Sequence, residues 1–228
     1  MHISFIPGEL QAWKTTTEKL NTLKYETNDD GTVTVNVSRT ADIRGTTVPY
    51  TMSYTLHADG TIDVETNFDI AEGYPHPRIG LQTLLAPTLE NIEWYGRGPM
   101  ENYPDRKDCA FVGKYKTTVS NMREYYVRAQ SMGERCDTRW LQLTDEGGAG
   151  LRIAGDFSFS ALHYTDRDLW LAKYGHDIDK MRRAEVVLNI DAAMRGIGNG
   201  SCGPGALEKY TITEGKTYTL KLTIQPTK

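Results

Sequence analysis

Apolar and polar residues alternate with period two along much of the chain, and turn-forming residues interrupt the alternation at short intervals. That pattern predicts antiparallel strands with one buried face. Thr32-Val-Thr-Val-Asn-Val37 alternates strictly. With residues 23–27 before it and Asn28-Asp-Asp-Gly31 between, it reads as a hairpin in which Asp30-Gly31 supplies the positive φ of a tight turn. Residues 49–56, the turn Ala58-Asp-Gly60 and residues 61–70 repeat the design. Tyr50, Met52, Tyr54 and Leu56 share one face there, and Ile62, Val64, Thr66 and Phe68 are expected opposite them. Further strands are predicted over residues 78–85, 89–94, 136–143, 150–154, 157–163, 185–190 and 218–224. Residues 119–127 are less regular. One helix is predicted, capped by Thr165 with Asp168 reaching back, carrying Leu169, Ala172 and Lys173 on one face and stopped by Gly175. The expected class is all-β and antiparallel with one short helix.

Residues 1–14 lack such a pattern and are read as a linker or a truncated start; residues 15–228 form the expected domain. A chain of 228 residues can bury a large core. A net charge of −4 without a block of Lys or Arg argues against a nucleic-acid surface. No apolar run reaches the roughly twenty residues of a membrane span, and the first residues are too short and too weakly basic for a secretory signal. The three cysteines, Cys109, Cys136 and Cys202, form no C-x-x-C pair, so a zinc or redox motif is not expected.

Chemistry concentrates in Trp94-Tyr-Gly-Arg-Gly-Pro-Met-Glu-Asn-Tyr-Pro-Asp-Arg106. Gly96, Gly98 and Pro99 are expected to break the strand and turn it. Glu101, Asn102, Tyr103, Asp105 and Arg106 then crowd acids, an amide, a phenol and a guanidinium together. Two readings compete: a corner whose side chains bond its own backbone, and the rim of a sugar site.

This stretch resembles the C-terminal β-sandwich domain of the large bacterial β-galactosidases of glycoside hydrolase family 2. The resemblance extends, in order, through His76-Pro-Arg-Ile-Gly80, Gly133-Glu-Arg-Cys-Asp-Thr-Arg139, Asp156-Phe-Ser-Phe159, Leu188-Asn-Ile-Asp191 and Gly196-Ile-Gly-Asn-Gly-Ser201. It implies an antiparallel supersandwich, galactose mutarotase-like in architecture. It implies that the catalytic glutamates lie on a barrel domain outside this chain, so no catalytic residue is assigned here and the isolated chain is expected to be inactive. An Arg-Ala-Pro and an Asp-Asn-Asp motif that open the family domain are not found, so its first strands are expected to be missing and an edge exposed.

The resemblance also makes the loop after Leu-Asn-Ile-Asp a wall of the galactose pocket, with Asn199, Ser201 and Cys202 as substrate-binding candidates and Arg135 as a weaker one. Cys202 stands where a tryptophan commonly stacks on the sugar. Trp94, Glu101, Asn102, Tyr103, Asp105 and Arg106 are expected to form a structural or cleft corner. No cofactor is expected in this chain, Mg and Na belonging to other domains of the parent. The expected partners are the catalytic barrel and a galactoside, with oligomerisation open, and the expected compartment is the bacterial cytoplasm or periplasm. Alternatives are a mutarotase-like epimerase using His76 or His163, a stand-alone sugar-binding module, and a mainly structural domain. A nucleotide loop at Gly196–Gly200 fails on spacing, and His176-Asp-Ile-Asp179 reads as a helix-end loop rather than metal ligands.

Overall fold

The strict alternation of residues 32–37 becomes the start of strand β2 (Val33–Ile43), paired antiparallel with β1 (Thr17–Thr27) across a turn in which Gly31 takes φ +82°. The computed structural model describes residues 16–43, 45–70, 72, 75–199 and 203–227; the linker assigned to residues 1–14 lies outside them. Next come β3 (Thr46–Leu56), β4 (Ile62–Asp69), β5 (Arg78–Leu85), β6 (Asn91–Gly98), β7 (Phe111–Thr118), β8 (Arg135–Thr144) and β9 (Gly150–Leu162). Helices α1 (Asp166–Leu171) and α2 (Gly175–Ile178) precede β10 (Val186–Met194) and β11 (Thr217–Thr227).

All pairings are antiparallel, and the main path runs β1-β2-β3-β4-β11-β9-β8-β6-β7. Strand β9 changes partner along its length. Its first part pairs with β11, and residues 158–162 pair with β10, which carries β5 on its other side. Register breaks between β8 and β9 near Arg135 and Thr138 accompany this change, as bulges do where a sheet bends. The result is the all-β antiparallel fold that the alternation implies.

The β3–β4 register is the one read from the pattern: Tyr50 faces Phe68, Met52 Thr66, Tyr54 Val64 and Leu56 Ile62. This face continues into a core of Val64, Leu220, Leu222, Ile153, Leu141, Ile92 and Trp94, which meets Leu188 and Ile190 of β10. Trp94 packs edge-on to Phe159 with ring centroids 5.8 Å apart. Each such apolar side chain contributes about 1.5–3 kcal/mol on burial.

Three expectations are corrected. Gly96 and Gly98 do not break β6 but lie within it, paired with Gly113 and Phe111. A Cβ on Gly96 would stand 2.7 Å from Thr138 Oγ1 and 2.8 Å from Thr138 Cα, so the glycine marks close strand packing. The chain turns only afterwards, at the cis Gly98-Pro99 peptide. The helix has the Thr165–Asp168 capping box but ends at Leu171, and Gly175 opens α2 instead of closing α1. Strand β7 escaped the pattern because it is an exposed edge with a weakly alternating sequence.

Candidate functional site

The sheet brings four distant segments to one place. Arg78 begins β5, Glu134 and Arg135 lead into β8, Asp191 lies in β10 opposite Gly80, and Asp166 opens α1. Arg78 Nε donates to Asp191 Oδ1 at 3.0 Å and Nη2 donates to Asp191 Oδ2. Its Nη1 reaches both Asp166 oxygens at 3.3 Å, and Nη2 lies 3.6 Å from Glu134 Oε2. Three carboxylates thus surround one guanidinium.

Glu134 and Asp191 are 1% and 2% exposed. Burial, reinforced by the Asp191 charge, pushes the Glu134 carboxyl well above the usual carboxylate range despite Arg78. Burial also raises Asp191, against the pull of Arg78. Asp191 has two contacts with the guanidinium, whereas Glu134 has one long contact and a buried Oε1 without a hydrogen-bond partner. Glu134 is therefore the carboxyl that keeps a proton.

The corner 101–106 is laced to the approach to β8. Asn102 donates its backbone N–H to Glu134 O at 2.8 Å, and its Oδ1 accepts from Cys136 N at 2.9 Å. Glu101 accepts from Gly133 N at 2.9 Å and from the Tyr126 hydroxyl; burial raises its carboxyl. Tyr103 is buried and its hydroxyl donates to Ser131 O at 3.4 Å. Burial, then the nearby Glu101 charge, pushes its phenol well up. Trp94 Nε1 donates to Arg97 O at 3.0 Å.

Asp105 and Arg106 turn the other way, toward the loop after β10. Asp105 accepts from Ile197 N at 3.1 Å and Gly198 N at 2.7 Å. Arg106 Nη2 donates to Gly198 O and, at 3.0 Å, to Asn199 Oδ1. Gly198 takes φ +58°, and a Cβ there would lie 2.4 Å from Ala206 N. Ser201 and Cys202 lie outside the described residues. Arg135, taken as a weaker rim candidate, is interior: it is 3% exposed and its guanidinium sits 5.6 Å from the Trp94 ring centre.

Residues 7–224 match the family described as beta galactosidase small chain. The chain belongs to that family. It is 34% identical over 178 residues to a β-galactosidase of Vibrio vulnificus (strain CMCP6), a match covering 76% of this chain and 16% of the relative. A Priestia megaterium β-galactosidase is 30% identical over 77% of this chain and 17% of its own length. The chain thus spans about one sixth of the β-galactosidases it matches. Among solved structures, a galactose mutarotase related enzyme from Lactobacillus acidophilus aligns over 92% of this chain and 70% of its own at 7% identity, with a TM-score of 0.29, too low to carry an argument.

Within this β-galactosidase small-chain domain, the histidines offered for epimerase chemistry are buried: His76 is 1% and His163 4% exposed. His163 Nε2 lies 3.0 Å from Glu90 Oε2 and its Nδ1 3.1 Å from Glu185 O, which makes it a tie between segments. Among the described residues no group of three or more His, Cys, Asp or Glu is placed to hold a metal ion. Among the described residues no helix is long and apolar enough to cross a membrane.

The sequence reading gave no role to Arg78, Glu134, Asp166 or Asp191. Arg78, Glu134 and Asp191 stood inside the motifs that carry the resemblance, but nothing in those motifs brings them together, and Asp166 stood in none of them. Tyr126 carried no signal at all.

Proposed function

We propose that this chain is the non-catalytic C-terminal domain of a β-galactosidase acting on terminal β-D-galactosides. In the intact enzyme it packs on the catalytic barrel and supplies one wall of the sugar site. The observation that carries this reading is the anchoring of the 196–199 backbone by Asp105 and Arg106. A loop fixed by a carboxylate and a guanidinium from another segment is pre-organised, as a substrate-contacting wall must be. Asn199 stands on it, and Ser201 and Cys202 follow closely in the sequence. With a thiol in place of an aromatic face, this wall holds a sugar by hydrogen bonds rather than stacking.

The placement of two buried carboxylates supports the non-catalytic part of this reading. Glycoside hydrolysis needs two of them facing a cleft, about 5 Å apart for retention. Glu134 and Asp191 are brought together, but they are sealed around Arg78 where no glycosidic oxygen reaches them. The test is nitrophenyl-β-galactoside turnover by the purified chain, paired with galactose titration followed by tryptophan fluorescence. The expected result is no turnover and weak or absent binding. Sustained turnover that survives repurification overturns the proposal.

A further inference from the structure

Strand β1 pairs only with β2, and all eleven of its residues are exposed among the described part of the chain. Leu20, Leu23 and Tyr25 are 51%, 58% and 76% exposed. The register sets Leu23 beside Val37 and Tyr25 beside Val35, and Val35 in turn beside Tyr54. These side chains therefore stand on the apolar face that becomes the core further along the sheet. An open edge carrying an apolar row is a template for another strand.

We propose that β1 is a self-association edge, on which two copies of this chain pair antiparallel about a two-fold axis through Leu23. The pairing follows from one irregularity. The β1–β2 ladder passes from Leu20–Arg39 to Thr22–Ser38 and skips Asn21. With Asn21 bulged on both copies, Leu23 meets its own counterpart, Thr22 meets Lys24, Leu20 meets Tyr25 and Lys19 meets Glu26. Every opposed pair then points to the same face, as antiparallel pairing demands.

Leu20, Leu23 and Tyr25 join across the axis into one apolar row, and the Lys19–Glu26 ion pair occurs twice on the opposite face. Charge selects this register. Moving the axis by one residue sets Lys24 against Lys19 in one direction and against itself in the other. An isologous interface of this kind closes after two copies.

The experiment is sedimentation velocity on the 228-residue chain over a concentration series. Wild type is expected to pass from monomer to dimer. Lys19→Glu and Glu26→Lys each place like charges opposite twice and are expected to weaken the dimer about tenfold. The double variant is expected to restore it. An equimolar mixture of the two single variants is expected to form a heterodimer, because every opposed pair is again of opposite sign. Both positions tested, Lys19 and Glu26, are exposed, so circular dichroism is expected to stay unchanged. A monomer at every concentration overturns the proposal. So does a dimer indifferent to the single variants, which would lie on another surface, or one that the double variant and the mixture fail to rescue.

Discussion

Asp105 Oδ2 accepts the backbone N–H of Gly198 at 2.7 Å, and its other oxygen holds the neighbouring Ile197 N–H at 3.1 Å. One carboxylate thus fixes the start of a loop more than ninety residues away. In Asp105→Ala both amides lose their acceptor. Their hydrogen exchange is expected to quicken by about tenfold or more, and the chain to lose about 1–3 kcal/mol of stability. Asp105→Asn keeps one acceptor oxygen and is expected to fall between the two. Exchange at Ile197 and Gly198 unchanged by Asp105→Ala would mean that the loop is held by other means.

The Arg78 cluster should respond asymmetrically to loss of its acids. Asp191 is buried and makes two contacts with the guanidinium, whereas the Asp166 side chain is 43% exposed. Asp191→Ala leaves a buried cation short of its main partner and is expected to cost about 3–5 kcal/mol. Asp166→Ala is expected to cost less than about 1 kcal/mol. Urea midpoints of the two variants give the comparison, and equal losses would contradict the burial argument.

How far the sequence reveals this molecule depends on whether a feature is periodic. The pairing of Tyr50 with Phe68 and Tyr54 with Val64 follows from alternation and a Gly-containing turn, both local. Strand β7 was not legible, since it is an edge whose inner face is only half-buried and carries Gly113, Tyr115 and Thr117 rather than a row of apolar side chains. Gly96 misled because a strand glycine and a turn glycine look alike until the neighbouring Thr138 is known. The partnership of Arg78 with Asp191 and Glu134 joins two strands and the segment just before β8, and leaves no trace in spacing. Family resemblance drew attention to Asp105, Arg106 and Asn199; only the structure joins them.

The buried Glu134 makes stability depend on pH in the direction opposite to most carboxylates. Its folded pKa lies well above the ordinary value of about 4.3. Between those two values the folded chain holds a proton that the unfolded chain has released. The stabilisation is therefore complete below the ordinary value and declines as pH rises toward the folded one, by up to about 1.4 kcal/mol per pH unit. Asp137 works in reverse. Burial raises its carboxyl, but the hydrogen bonds from Arg97 and Lys107 hold it below the usual range, so its contribution disappears as pH falls. Glu134→Gln is expected to flatten the decline on the alkaline side and leave the acid side unchanged. Urea unfolding at a series of pH values measures both limbs, and an unchanged alkaline slope would count against a protonated Glu134.

The thiols should separate by burial. Cys136 is 2% exposed, its Sγ donates to Asn102 O at 3.4 Å, and burial pushes its pKa to about 12. The thiolate is the reactive form, so Cys136 is both inaccessible and almost wholly protonated at neutral pH. Cys109 is exposed. In a Cys202→Ser background, which removes the third thiol, an aromatic disulfide reagent is expected to titrate one group promptly and the second only in denaturant. Asn102→Ala removes the acceptor of Cys136 N, the side-chain tie between the corner and β8, and leaves the backbone bond from Asn102 N to Glu134 O in place. In that variant the second thiol is expected to react in the native state at least about tenfold faster, through local opening. Equal protection of Cys136 in both backgrounds would show that the Asn102 side chain is not what holds the corner to β8.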